Sequence, residues 1–320
     1  MRRMARGLVF ATVVGFVSMA GTPAWAQQAA SETAANGGSA PASSSTAATT
    51  PASEGTQLVQ PAAAPAEPAK RVSMTAGVDF LSSYMFRGIY QEDRGLIMPP
   101  FVDLGVSVYE GDGALKNVTL NGGNWNSIHS GPSGNSGQGN AWYEADYYGS
   151  ASFTIGNWTP GALFTSYTSP NDVFGVVNEL AAVLAYDDSG SAFPLSPRAM
   201  VAFELKGQAD GGESKGTYLE LGIGPEVTLV DAARYPVTLS IPAKLGMSLN
   251  NYYEGPTGSN RFGFFELGGR ASVPLAFMNG RTTWEVHGGM SLMWLGDNLR
   301  LLNNDDRVKP IGLIGLSVSY

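Results

Sequence analysis

Apolar and polar residues alternate one by one over long stretches of the chain after residue 72. In one stretch the apolar positions are Val237, Leu239, Ile241, Ala243, Leu245, Met247 and Leu249. The residues between them are mostly polar or small, and 217–230 and 281–295 alternate in the same way. Successive side chains of a β-strand point to opposite faces, so the pattern predicts strands with one apolar and one polar face.

The length of the alternating segments separates two fold classes. Strands of soluble proteins average about 5–6 residues, whereas a membrane-spanning strand needs about 9–11. Most alternating segments here have the length of membrane-spanning strands. The sequence therefore predicts an all-β fold, an antiparallel transmembrane β-barrel of about 12 strands. The predicted strands are 73–86, 97–109, 117–128, 141–155, 161–169, 176–187, 198–206, 217–230, 237–250, 262–275, 281–295 and 309–320.

The connections between these strands form two sets. The longer, polar set is 87–96, 129–140, 170–175, 207–216, 251–261 and 296–308, and the mostly tighter set is 110–116, 156–160, 188–197, 231–236 and 276–280. Outer-membrane barrels have long extracellular loops and short periplasmic turns. Asn279-Gly280 is a hairpin signal in the tight set, whereas 188–197 is longer than the rule expects.

The first 71 residues differ in composition from the rest. Residues 1–26 predict a cleaved signal peptide, with Arg2, Arg3 and Arg6 before an apolar run and Ala24-Trp25-Ala26 as the cleavage site. The Ala-, Pro-, Ser- and Thr-rich stretch 27–71 predicts a disordered linker, because it has too few large apolar residues to offset chain ordering. The predicted organisation is therefore signal peptide 1–26, linker 27–71 and barrel 72–320, in the outer membrane of a Gram-negative bacterium.

The polar faces of the strands carry charges that lipid would not tolerate. An Arg or Lys facing lipid at mid-depth costs about 2–4 kcal/mol, so these faces are predicted to line the lumen. The predicted pore-lining residues are Asp79, Asp103, Glu144, Asp146, Glu179, Arg198, Glu204, Lys206, Glu220, Glu226, Lys244, Glu266, Arg270, Glu285 and His287. The excess of acids predicts a channel for small polar or cationic solutes, and about twelve strands predict that it is narrow. The alternative is a closed barrel in which Glu266 pairs with Arg270, and Glu204 with Lys206.

Aromatic residues near the strand ends predict interfacial girdles on the outer face. The aromatic residues that fall on the apolar face of their predicted strands are Tyr84, Phe86, Tyr143, Trp284 and Trp294.

The segment around Ser83, Tyr84, Phe86, Arg87 and Gly88 resembles the opening strand of the TorF-type porins, bacterial outer-membrane β-barrels. Pro100-Phe101 and Gly123-Asn124-Trp125 are similar to the next strands of that group. The resemblance implies a channel-like activity, and no cofactor is expected. Arg87 is predicted either to constrict the pore mouth by pairing with inward acids or to fasten a loop to the barrel wall.

The last strand ends Leu316-Ser317-Val318-Ser319-Tyr320. Apolar residues alternate back from a terminal aromatic, which resembles the signal that the barrel-insertion machinery reads. The predicted partners are this machinery, outer-membrane lipid and small solutes. A basic nucleic-acid surface is excluded by 19 basic against 27 acidic residues.

Other functions have weaker signals. The chain has no cysteine and two histidines, His129 and His287. Outer-membrane lipid hydrolases place a serine two residues after the histidine, where this chain has Gly131 and Gly289, so an enzyme is not expected. The acidic loops 210–213 and 303–306 match no defined calcium loop. An adhesive barrel whose loops bind glycans or host surfaces is the better rival.

Overall fold

The computed structural model describes residues 71–135, 141–230, 235–255, 258–275 and 282–320. Its strands are β1 Val72–Leu81, β2 Tyr84–Phe86, β3 Ile89–Glu92, β4 Ile97–Met98, β5 Pro100–Glu110, β6 Leu115–His129, β7 Trp142–Ile155, β8 Trp158–Thr168, β9 Val177–Tyr186, β10 Arg198–Lys206, β11 Thr217–Ile223, β12 Glu226–Val230, β13 Val237–Ser240, β14 Ala243–Asn250, β15 Glu254–Gly255, β16 Gly258–Ser259, β17 Phe262–Pro274, β18 Thr283–Leu295 and β19 Val308–Ser319. Among these residues one short α-helix, α1, spans Asp297–Leu302, and a 3₁₀ helix spans Pro132–Asn135. The predicted signal peptide, linker and Asn279-Gly280 turn lie outside the described residues.

The wall is a closed antiparallel barrel. Each wall strand pairs with its neighbours in sequence, and β1 closes the ring by pairing with both β5 and β19. Two of the wall strands are each interrupted once. One is divided near Pro225 into β11 and β12, and the other near Pro242 into β13 and β14. Proline has no N–H to donate to a ladder, which accounts for the interruptions. Counting each such pair once gives twelve strands around the barrel, as predicted.

The outer face of the barrel is apolar. In β5, Val102, Leu104, Val106 and Val108 are all exposed, whereas Ser107 between two of them is 5% exposed. A wall with exposed apolar residues outside and buried polar residues inside is suited to hydrocarbon surroundings.

The long connections lie at one end of the barrel and the short ones at the other, because consecutive strands alternate in direction. The long connection at the short-turn end, 187–197, is folded on itself: the Asp188 carboxylate accepts hydrogen bonds from the backbone N–H groups of Leu195 and Ser196. α1 lies in a connection at the long-loop end. Within the described ranges, no helix is long and apolar enough to cross a membrane.

The segment after β1 leaves the wall. The predicted strand 73–86 ends at Leu81, and β2 and β3 form a separate hairpin. Its turn residues, Arg87 and Gly88, have φ of 43° and 85°. Positive φ at both central residues is what a two-residue type I′ turn requires, so the chain reverses there.

The predicted outward orientation of Tyr84, Phe86 and Tyr143 is wrong. All three side chains are buried, at 0%, 1% and 1% exposure. Tyr84 and Phe86 belong to the hairpin rather than to the wall. Tyr143 sits where the register between β6 and β7 shifts, and such a bulge breaks the strict alternation of faces.

Candidate functional site: a hairpin inside a charged lumen

Most of the predicted pore-lining residues have side chains buried inside the barrel. These are Asp79, Glu144, Asp146, Glu179, Arg198, Glu204, Glu220, Lys244, Glu266, Arg270, Glu285 and His287. Asp103 is half-buried and accepts a hydrogen bond from Asn121. Polar side chains of this number are buried together only where they face one another rather than lipid.

Two members of the predicted set are exposed. Glu226 lies opposite Ser240, which in turn lies opposite Arg270. Residues directly opposite one another share a face, so Glu226 is on the same face as the buried Arg270. Lys206 lies beyond a register shift that follows Glu204 and is paired with Asn178, at the loop end of β10.

The β2–β3 hairpin crosses the long-loop half of the lumen and is attached first to β7. The Tyr84 hydroxyl donates to Glu144 Oε2 over 2.5 Å, and the Tyr143 hydroxyl donates to Gln91 Oε1 over 2.7 Å. Ser83, the first residue of the family-like motif, is also buried. The motif residues therefore belong to a lumen-filling segment.

The tip of the hairpin reaches β9. Arg87 forms a two-pronged ion pair with Glu179, with both N···O distances 2.9 Å, and also donates to the Tyr252 hydroxyl over 2.7 Å. Its guanidinium carbon lies 4.1 Å from the centre of the Tyr218 ring. Burial raises the pKa of Tyr252 above its usual value, so its phenol stays neutral. Arg87 thus lies among inward acids and also fastens the hairpin to the wall.

The backbone of the hairpin tip is held from the opposite direction. The Tyr253 hydroxyl donates to Arg87 O over 2.9 Å, and Asn303 Nδ2 donates to Gly88 O over 2.8 Å. A Cβ on Gly88 would lie 2.4 Å from Leu299 Cδ1, so a larger residue would displace the Leu299 side chain as well as strain the backbone.

His129 lies in a chain of hydrogen bonds near the same end. Its Nε2 is 2.6 Å from Ser127 Oγ and its Nδ1 is 2.6 Å from Ser133 Oγ, which donates to Glu92 Oε2 over 2.8 Å. Ser127 was not predicted from the sequence, because only hydroxyl residues that follow the histidine were considered. The spacing of Ser127 and His129 could have identified it, since residues two apart on a strand share a face. Ser127 and His129 are fully buried, away from lipid on the outer face.

Below the hairpin, ionisable side chains on different strands form pairs. Lys244 Nζ lies 2.9 Å from Glu266 Oε2, and His287 Nε2 lies 2.6 Å from Asp79 Oδ1. The carboxylate of Glu204 accepts from the backbone N–H groups of Ala209 and Gly216. These partners differ from the pairs Glu266–Arg270 and Glu204–Lys206 that the closed-barrel alternative named.

Carboxylates hold the acidic loop 210–213 in place. Asp210 accepts from the backbone N–H groups of Gly212 and Glu254, and Glu254 accepts from the N–H groups of Glu213 and Ser214. Burial raises the pKa of Asp210. In the part of the chain that the structure describes, no group of three or more His, Asp or Glu residues is arranged to hold a metal ion.

The solved structures that are similar to this chain include outer-membrane barrels. No protein-family model and no curated protein matches the chain. The NanC porin is 11% identical, with 77% of this chain and 98% of that chain covered and a TM-score of 0.39. The translocator domain of the autotransporter NalP from Neisseria meningitidis is 12% identical (80% and 90% covered, TM-score 0.38). An outer membrane channel from Pseudomonas putida F1 is 10% identical (82% and 100% covered, TM-score 0.38). The TorF-type resemblance stays a prediction.

Proposed function

We propose that the protein is a porin-like outer-membrane channel for small polar or cationic solutes, closed in this conformation by the β2–β3 hairpin. One observation carries the proposal. The hairpin forms a two-stranded sheet of its own, and in the described part of the chain neither strand joins the ladder of the wall. It can therefore leave the lumen without breaking any backbone pairing of the barrel.

The charges inside the barrel support the choice of solute. The inward acids outnumber the inward bases, and two of them, Glu144 and Glu179, contact the hairpin directly. When the hairpin withdraws, Arg87 leaves with it and Glu179 loses the base that it is paired with. A lumen of this kind with low-dielectric walls concentrates cations.

Planar-bilayer recording tests the proposal. We expect the wild-type protein to conduct rarely, and a variant with 84–92 replaced by a short Gly-Ser linker to conduct steadily, with a reversal potential that shows cation preference in a KCl gradient. The matched control shortens the 187–197 connection at the other end of the barrel. The channel proposal fails if removing the hairpin leaves the bilayer sealed, and anion preference would contradict the selectivity.

The proposed location and partners follow from the same wall. The apolar outer face would contact outer-membrane lipid, and β19 with Tyr320 would be the strand that the insertion machinery reads. Tyr320 exchanges backbone hydrogen bonds with Met74 in β1, so the terminal aromatic lies at the seam between the first and last wall strands. Cell fractionation of a Tyr320→Ser variant tests the role of this residue, with reduced outer-membrane yield as the expected result.

A permanently closed barrel with adhesive loops is the second candidate, because nearly all the inward charged side chains are buried. Whole-cell uptake of small cations in a deletion strain, compared with binding of the same cells to glycan surfaces, separates the two. Loss of adhesion with unchanged uptake favours the adhesive barrel.

A further inference from the structure

Arg87 occupies a site built from wall and loop residues. We define the guanidinium cage as Tyr167 of β8, Glu179 of β9, Tyr218 of β11 and Tyr252 of the loop after β14. All four residues are buried, with at most 2% of their surface exposed. Glu179 takes both prongs of the guanidinium, the Tyr252 hydroxyl accepts from it, and the Tyr218 ring lies 4.1 Å beneath its central carbon.

The cage is held by contacts that do not involve Arg87. The Tyr167 hydroxyl donates to Glu179 Oε2 over 2.8 Å, and the Tyr218 hydroxyl donates to Glu220 Oε2 over 2.8 Å. The backbone N–H of Tyr252 donates to Ser248 Oγ over 3.0 Å. The receptor side of the site would therefore keep its geometry when the arginine leaves.

The shape of the cage selects one cation chemistry. A planar guanidinium matches a carboxylate with two parallel N–H···O bonds and stacks on an aromatic ring, whereas an ammonium offers a single point charge. The cage supplies both elements, the carboxylate of Glu179 and the ring of Tyr218. Its occupant, Arg87, belongs to the β2–β3 hairpin, and no ladder among the described residues joins that hairpin to the wall.

We infer that the cage is a guanidinium-binding site that the chain fills with its own Arg87, and that solutes bearing a guanidinium group compete with Arg87 for it. A solute that replaces Arg87 in the cage displaces the hairpin tip. Guanidinium-bearing solutes would therefore open the lumen for their own passage. The binding part depends only on the cage. The opening part rests on the proposed channel function.

Binding is tested on the full chain in detergent by calorimetric titration with methylguanidinium. Arg87→Ala empties the cage, so this variant is expected to bind methylguanidinium and to bind methylammonium more weakly. In the double variant Arg87→Ala/Glu179→Gln the affinity should fall roughly tenfold or more, because the charged acceptor is lost. Arg94→Ala is the matched control, since Arg94 is exposed, and it should titrate as the wild type does.

Equal affinity of the single and double variants, or equal affinity for the two cations, overturns the inference. If Arg87→Ala does not fold, it is refolded with methylguanidinium and, separately, with methylammonium. Heat-modifiable migration restored only by methylguanidinium supports the inference, and restoration by neither or by both overturns it.

Bilayer recording separates this inference from the channel proposal. Methylguanidinium should raise the conducting fraction of the wild type several-fold over methylammonium at equal concentration. Binding to Arg87→Ala without conduction by either protein would refute the channel and leave the cage in place. Conduction by Arg87→Ala without methylguanidinium binding would refute the cage and leave the channel in place.

Discussion

Asp79 and His287 meet across a strand that lies between them. Asp79 is in β1 and His287 is in β18, and both are paired with Gly315 of β19. Asp79 Oδ1 reaches His287 Nε2 over 2.6 Å because Gly315 has no side chain to fill the space. The first strand is thereby tied to the last hairpin over the seam that closes the barrel.

Gly315→Ala should break this connection. The added Cβ would lie 1.9 Å from Asp79 Oδ1 and 2.2 Å from His287 Nε2. Leaving buried polar groups without their partner costs about 1–3 kcal/mol, so the free energy of unfolding in urea should fall by that amount. Gly288→Ala is the control, because its Cβ would meet nothing closer than Leu313 O at 3.4 Å. Equal effects of the two substitutions would show that the Asp79–His287 contact contributes nothing.

Tyr84→Phe should loosen the hairpin without emptying its volume. The substitution removes only the hydroxyl that donates to the buried Glu144 carboxylate, and a buried acceptor that loses its donor costs about 1–3 kcal/mol. We expect faster amide exchange in 84–92 by mass spectrometry. Tyr147→Phe serves as the control, because Tyr147 is exposed on β7, the strand that carries Glu144. Unchanged exchange in both would contradict the assigned contact.

Asn303→Ala should increase channel opening. Asn303 Nδ2 holds the carbonyl of Gly88, and it also donates to Leu299 O. The truncation releases one side of the hairpin tip and costs about 1–3 kcal/mol, which predicts a conducting fraction several-fold above that of the wild type. Leu302→Ala, exposed in the same connection, should leave conduction as it was. A similar increase in both variants would point to general loosening of the loop.

Leu180→Arg tests the lipid-facing assignment of the wall. Leu180 is 43% exposed on β9, beside the inward Glu179. Arginine facing lipid near the bilayer midplane costs about 2–4 kcal/mol, so the urea midpoint of the protein in liposomes should drop. Asn157→Arg in the exposed turn between β7 and β8 is the control. An unchanged midpoint for both would mean that hydrocarbon does not surround this face.

The positions of the wall strands could be predicted from the sequence because alternation is a local property. In β9, Glu179, Ala181 and Val183 are buried while Leu180 and Leu184 are exposed, as their parity predicts. Alternation predicted the wrong face where the chain departs from a regular ladder. A bulge buries Tyr143 beside Glu144, and one extra residue in a strand leaves little trace in composition.

Two features of the site depend on residues remote in sequence. Which charges pair, such as Lys244 with Glu266, follows from the register between strands, and parity alone gives no register. The path of 84–92 was missed for a related reason. An alternating apolar segment fits a wall strand as well as a hairpin inside the lumen, and the Arg87-Gly88 turn only marks where the chain reverses.

The sequence by itself determined a wall of long strands with an apolar face and a charged face, because each side chain's direction depends on its position within its own strand. Only the tertiary structure decided that the segment after β1 enters the lumen and that Arg87 is received by Glu179, Tyr218 and Tyr252. Those three residues lie 92, 131 and 165 positions further along the chain. A contact between such distant positions exists only once the barrel has closed and brought their strands around one interior.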